Sequence, residues 1–97
     1  MIKVEQTQVF SDWLTNLKDV SARARIITRI QRIAASGSFG DVEPVGEGVS
    51  ELRFHIGPGY RVYFIQRGSE LVLLLAGGTK KSQRRDIRKA KELAAEL

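Results

Sequence analysis

A chain of 97 residues is long enough for one domain with one modest core, since a chain of this size buries about two-thirds of the surface it exposes when unfolded. With 42% hydrophobic residues and no cysteine it is neither a disordered segment nor a disulfide scaffold, and thiolate catalysis and cysteine-bound metal are excluded. The net charge of +5 is unevenly placed: residues 1–52 carry a net −1 and residues 53–97 a net +6, so polyanions are drawn to the second half.

Ile2 to Gln6 reads as a short strand. Thr7 is an N-cap for a first helix running to about Leu17, with Phe10, Trp13, Leu14 and Leu17 on one face. Asp19 or Ser21 caps a second helix in which Ile26, Ile27, Ile30, Ile33 and Ala34 form the apolar side. Arg25, Arg29 and Arg32 fall on its other side, as a solvated stripe or a surface for a partner protein. Gly37 ends this helix, and the two helices make an αα-hairpin. Residues 36–48, rich in glycine and with one proline, read as a loop. Period-2 alternation then begins: Leu52, Phe54 and Ile56 against Glu51, Arg53 and His55 mark a half-buried strand. Gly57-Pro58-Gly59 turns the chain into a strand over Tyr60 to Arg67. Gly68-Ser69 is a two-residue hairpin signal, and Glu70 to Ala76 is an interior strand that Gly77-Gly78 breaks. A last helix starts near Ser82. The order β-α-α-β-β-β-α describes an α+β domain over residues 1–97, with a small, mainly antiparallel sheet and the αα-hairpin packed on one face.

With Ile56 set opposite Tyr60, His55 pairs with Arg61, Phe54 with Val62 and Arg53 with Tyr63. Cross-strand partners share a face, so Phe54, Ile56, Val62 and Phe64 point under the helices while Arg53, His55, Arg61 and Tyr63 point away. Across Gly68-Ser69, Arg61 faces Ala76, which brings Lys80 and Lys81 near it. The expected result is a cluster of cations on an open sheet face.

Metal catalysis finds no ligand set, because His55 is the only histidine and the acids lack ligand spacing. There is no G-x-S-x-G turn for a serine nucleophile and no P-loop spacing, and the glycines read as turns. No cofactor is implied. Metal-independent RNA cleavage fits these side chains better. It needs a base for the attacking 2′-hydroxyl, cations for the pentacovalent transition state and an acid for the leaving oxygen. Arg61 is the expected transition-state cation, since a guanidinium grips phosphate oxygens bidentately and keeps its charge. Lys80 or Lys81 is the candidate base, and His55 can move a proton in either role. Arg53, Tyr63, Arg84, Arg85 and Arg88 are candidate RNA contacts, Tyr63 through stacking on a base. No apolar run approaches the ~20 residues of a membrane span, and the start, Met1-Ile2-Lys3-Val4-Glu5, lacks a signal-type stretch. A cytoplasmic protein with no membrane contact is expected.

The segment Glu51-Leu52-Arg53-Phe54-His55-Ile56-Gly57-Pro58-Gly59-Tyr60-Arg61-Val62-Tyr63-Phe64 carries a further signal. Together with Leu73 to Gln83 and Asp86-Ile87, it resembles the phage Gp49-like, HigB-type "addiction module killer" branch of the RelE/ParE toxin superfamily. The resemblance covers essentially the whole chain. It implies the toxin of a type II toxin–antitoxin system, an mRNA interferase that cuts messages on the 70S ribosome. Arg61, Arg53 with His55, and Lys80 with Lys81 match the basic positions of that family. It also implies silencing by a cognate antitoxin, a helix-turn-helix protein of HigA type. Where the branch reads G-G-D-K-S, this chain has Gly77-Gly78-Thr79-Lys80-Lys81-Ser82, and no tyrosine follows Tyr63, so the family pattern assigns no general acid. ParE members share the fold but inhibit DNA gyrase, which is the alternative activity.

Overall fold

Thr7 and Asp19 set where the first two helices begin. In the computed structural model, which describes all 97 residues, Thr7 Oγ1 accepts the Phe10 amide and opens α1 (Gln8–Thr15). Asp19 Oδ1 accepts the Ala22 amide and opens α2 (Val20–Ser36). Gly37 closes α2 in the left-handed conformation at φ 72°, and its amide donates to the Ile33 carbonyl. β1 (Lys3–Gln6) precedes α1, and β2 (Val42–Gly46), β3 (Val49–Phe54), β4 (Tyr60–Arg67) and β5 (Leu71–Thr79) follow α2. A 3₁₀ turn over Lys80–Ser82 then leads into α3 (Gln83–Ala95).

The architecture is α+β, with one strand more than expected. β2 forms inside the stretch that reads as a loop, because β3 offers it an edge: Val42 lies opposite Leu52 and Glu43 opposite Glu51. Pro44 is tolerated there because an edge strand need not donate on its outer side. The sheet order is β1-β5-β4-β3-β2, with β1 parallel to β5 and every other pair antiparallel. β5 therefore lies inside the sheet, as its apolar run predicts.

Both faces of the sheet are covered. On one, Phe10, Ala22, Ile26 and Ile33 pack against Leu52, Phe54, Val62, Phe64, Val72 and Leu74, with Trp13, Leu14 and Leu17 at the margin. Ile27, expected on the apolar side of α2, is 39% exposed, while Ala22, one turn before the buried Ile26, is buried. On the other face α3 lays Ile87, Ala90 and Leu93 over Val49, Tyr63, Ile65 and Leu75. The face expected to be open is thus a second core. Only its end beyond the start of α3 is left for function.

The pairing differs from the expected register in a way that matters. The Gly59 amide closes a turn on the Ile56 carbonyl at 3.0 Å, with Gly57 at φ 52° and Gly59 at φ 78°, so the ladder stops at Phe54 opposite Tyr60. The slip from the expected pairing is two residues, which preserves the faces but puts Arg53, not His55, opposite Arg61. On the other side of β4, a three-residue link (68–70) and an irregularity between Tyr63 and Phe64 place Arg61 opposite Gly78 instead of Ala76.

Gly77 and Gly78 do not break β5; they are the reason it can continue. A Cβ at Gly77 would lie 2.3 Å from the Trp13 ring, and one at Gly78 would lie 1.8 Å from the Asp86 carboxylate. The strand is bare so that α1 can close on one side and α3 on the other. Gly77→Ala is expected to cost on the order of 3 kcal/mol, as overpacking into a full core does. Urea unfolding measures it, and pairing the change with Trp13→Leu should recover part of the stability.

Candidate active site

The site begins with a charge conflict. β3 and β4 set Arg53 directly opposite Arg61, and like charges facing each other across a ladder are destabilising. Glu51, two residues before Arg53 and so on the same face, resolves it. Its carboxylate is fully buried. Oε1 accepts Arg53 Nε at 2.9 Å and lies 3.7 Å from Arg61 Nε, while Oε2 accepts the Gln83 side chain at 2.7 Å. The bond to Glu51 raises the Arg53 pKa, so this guanidinium is firmly charged. Arg61 is 7% exposed and also donates through Nη1 to the Tyr60 carbonyl at 3.4 Å. Two arginines against one carboxylate leave one positive charge at the end of the sheet, where Arg61 is buried and the Arg53 side chain is 34% exposed.

Around that charge lies an open cleft of about 560 Å³, lined by Arg53, His55, Arg61, Lys80 and Gln83 and by the Ile56–Gly59 turn. The turn is what gathers them. The Lys80 amide donates to the Gly59 carbonyl at 2.8 Å. A Cβ added at Gly59 would sit 3.4 Å from Lys80 Cβ and 3.8 Å from Arg61 Nη1, so both side chains flank the same point. The absence of a side chain at Gly59 keeps the space between these cations open.

The remaining sequence candidates divide. His55 leaves the ladder, lines the cleft and binds the Asp41 carboxylate through Nε2. That bond holds the Asp41 carboxyl below the usual carboxylate range, with the charges of Arg53 and Arg29 adding to the effect. Lys81 does not join Lys80: the 3₁₀ turn sends it to a separate groove with Thr79, Ser82, Arg84, Arg85 and Arg88. Tyr63 is no stacking platform, because it lies fully buried in the core beneath α3. Its hydroxyl makes no hydrogen bond of good geometry. Burial first, and then the Glu51 charge, pushes its pKa far above the ordinary value. Arg29, assigned by its spacing to a solvated or partner-facing stripe, is a tie inside the fold. It donates to the carbonyls of Phe39 at 2.9 Å, Asp41 at 2.6 Å and Arg53, and its guanidinium lies 4.6 Å over the Phe54 ring.

The profile of the family described as "Phage derived protein Gp49-like" matches residues 12–97. The chain belongs to that family. An uncharacterized protein of Haemophilus influenzae is 46% identical over 96 residues, covering 99% of this chain and 96% of its own. Among solved structures, a chain of the intact RelBE toxin–antitoxin complex of E. coli superposes with a TM-score of 0.67 at 11% identity, over 81% of this chain and 96% of its own. YafQ of E. coli does so with a TM-score of 0.56 at 14% identity, over 86% and 98%. The hypothetical protein HP0894 of Helicobacter pylori gives 0.54 at 20% identity, over 84% and 97%. This Gp49-like chain has the fold of the RelE-type toxins.

Four residues of the Gp49-like site escape a reading of the sequence alone: Glu51, Gln83, Asp41 and Arg29. Glu51 carries a usable signal, since strand parity puts it on the face of Arg53 and Arg61. Gln83 lies three residues after Lys80 in chain order, but only the path of α3 brings it to Glu51. Asp41 and Arg29 depend on how residues 39–41 run past α2, which no local pattern encodes.

Glu51→Ala is expected to cost about 3–5 kcal/mol, because it leaves a buried guanidinium without its counter-ion; chemical denaturation reads this directly. Tyr63→Phe should do the reverse. Removing a buried hydroxyl without a partner is expected to leave stability unchanged or raise it by about 1 kcal/mol. The native phenol resists ionisation while the unfolded one ionises near pH 10. Its contribution is therefore complete below that pH and lost as the pH rises beyond it. Unfolding curves across pH 8–11 should fall less steeply for Tyr63→Phe, and a destabilised variant would mean that the hydroxyl has a partner.

Proposed function

We propose that this protein is the toxin of a type II toxin–antitoxin system, an endoribonuclease that cuts mRNA on the ribosome without a metal. The observation that carries the reading is the cleft that Arg53, His55, Arg61 and Lys80 line together, left open at Gly59 between Lys80 and Arg61. The fold it shares with a chain of the RelBE toxin–antitoxin complex supports the reading from a second side.

The proposed reaction is attack of a ribose 2′-oxygen on the adjacent phosphorus. The new O2′–P bond forms as the P–O5′ bond breaks, leaving a 2′,3′-cyclic phosphate and a 5′-hydroxyl. Lys80 takes the proton of the 2′-hydroxyl. His55, held by Asp41, gives a proton to the departing O5′. Arg61 and Arg53 bind the non-bridging oxygens, where negative charge grows in the transition state. Glu51 and Gln83 hold these guanidiniums before substrate arrives, so little reorganisation is left for the reaction step. Lys81, Arg84, Arg85 and Arg88 lie outside the cleft and serve binding. A HigA-type helix-turn-helix antitoxin is the proposed partner, and the cytoplasm, where ribosomes are, is the proposed site of action.

Expression of the chain alone in a bacterial host tests this. Growth should stop, and primer extension should reveal discrete cuts in messages. Lys80→Ala, at an exposed position, should fold normally and slow cutting at least 100-fold. Arg61→Lys, which keeps the charge near Glu51 but loses the fork, should be impaired to a similar degree. Undiminished cutting by both variants would remove the mechanism, and intact messages with altered plasmid supercoiling would point to gyrase instead.

A further inference from the structure

A second basic surface meets the cleft. Between α2 and the end of β3 runs a groove of about 590 Å³ with Arg25, Thr28 and Arg32 on its helical wall and Arg53 and His55 on the other. Arg53, His55 and Ile56 also line the cleft, so the two depressions adjoin along these residues.

Three features separate this groove from an ordinary solvated helix face. Such a face mixes both signs of charge, yet α2 carries four arginines and no acid over its 17 residues. Neither Arg25 nor Arg32 has a carboxylate within ion-pair distance. Asp41 is the one acid in the lining, and His55 already engages it. The intervening arginine, Arg29, is fixed by three backbone carbonyls, so it braces the wall and leaves Arg25 and Arg32 free above it.

We infer that this groove is a subsite for the backbone of single-stranded RNA, holding the strand on one side of the scissile phosphate. The inference rests on the ribonuclease reading, since it is the cleft that gives the groove its direction. Arg25 and Arg32 are seven residues apart, about 10 Å along the helix axis. A strand has a phosphate every ~3.4 Å or more of its length, so each arginine meets a different one. Four of the 11 lining residues are arginines against the single acid Asp41, a charge balance that suits a polyanion.

The test compares the full-length protein with an Arg25→Gln/Arg32→Gln double variant. Fluorescence anisotropy would follow binding of 2′-O-methyl oligonucleotides of 4 and 10 nucleotides across a salt series, and a translating extract would report message cleavage. For the 10-mer, the slope of log K against log salt should fall in magnitude by about 1.4 in the double variant, 0.7 for each phosphate that is no longer neutralised. The 4-mer, confined to the cleft, should bind both proteins alike, and cutting of saturating message should persist. An unchanged slope with the 10-mer, while cutting persists, overturns the subsite and leaves the ribonuclease reading standing. Unchanged RNA binding with loss of antitoxin capture overturns it too and makes the groove a protein-binding surface. Failure of the unaltered protein to bind either oligonucleotide or to cut message overturns both.

Discussion

One buried carboxylate decides the character of this molecule. The ladder of β3 and β4 forces two guanidiniums to face each other, and Glu51 lies under both. A charge so deep is costly unless it is paired and hydrogen-bonded. Glu51 meets that condition with Arg53, Gln83 and the nearby Arg61. The same bonds tie three elements together, because Gln83 is the first residue of α3. Removing the carboxylate would loosen the helix and scatter the arginines at once. Stability and the candidate chemistry thus share one interaction.

The two glycines of β5 have a comparable reach. Their bareness lets Trp13 and Asp86 pack close against opposite sides of one strand, and Asp86 in turn accepts the Ser82 hydroxyl at the start of α3. The helix is thereby pinned with its first turn just short of the sheet's end. Had Gly77-Gly78 ended the strand, Arg61 would lack a partner on that side and the Lys80 turn would have no fixed relation to it. The continued ladder places Tyr60 opposite Thr79, and the very next amide, that of Lys80, reaches Gly59. Lys80 is delivered to the cleft by strand pairing rather than by a flexible loop.

Much of this is legible from residues alone. The caps at Thr7 and Asp19, the stop at Gly37 and the faces of β3 and β4 follow from local chemistry and period-2 alternation, and Arg53, His55, Arg61 and Lys80 do come together. The departures share one cause. Turn closure at Ile56–Gly59, the edge pairing that makes β2, the passage of β5 through its glycines and the burial of Tyr63 beneath α3 are all set by partners distant in sequence. A polar alternation pattern cannot distinguish a face left to solvent from one that a later helix covers. Tyr63 fits either case, since its ring suits a core and its hydroxyl suits water. Lys81 departs for a local reason: a 3₁₀ turn advances about 120° per residue, so neighbours in sequence point to different grooves.

The positive charges that line the cleft and the grooves beside it fall into two kinds, and the distinction bears on what each can do. Arg29, Arg53 and Arg61 are held by carbonyls or by Glu51. Arg25, Arg32, Lys80, Lys81, Arg84, Arg85 and Arg88 have no carboxylate partner. Held cations spend no conformational entropy when substrate arrives and act in a partly desolvated pocket, the condition under which electrostatic stabilisation of a transition state is strongest. Free cations on long side chains are screened within about 8 Å at physiological salt and lose rotamer freedom on binding. They favour capture of a strand without fixing the geometry of one phosphate. The proposed division follows from this: the arginines braced at the sheet's end act on the reacting phosphate, and the free cations of α2, the 3₁₀ turn and α3 guide the chain toward it. Lys80 is the exception in the proposed chemistry. As the proposed proton acceptor it has no carboxylate partner, and the Gly59 turn fixes its backbone and Cβ on the side of the cleft where Arg61 lies.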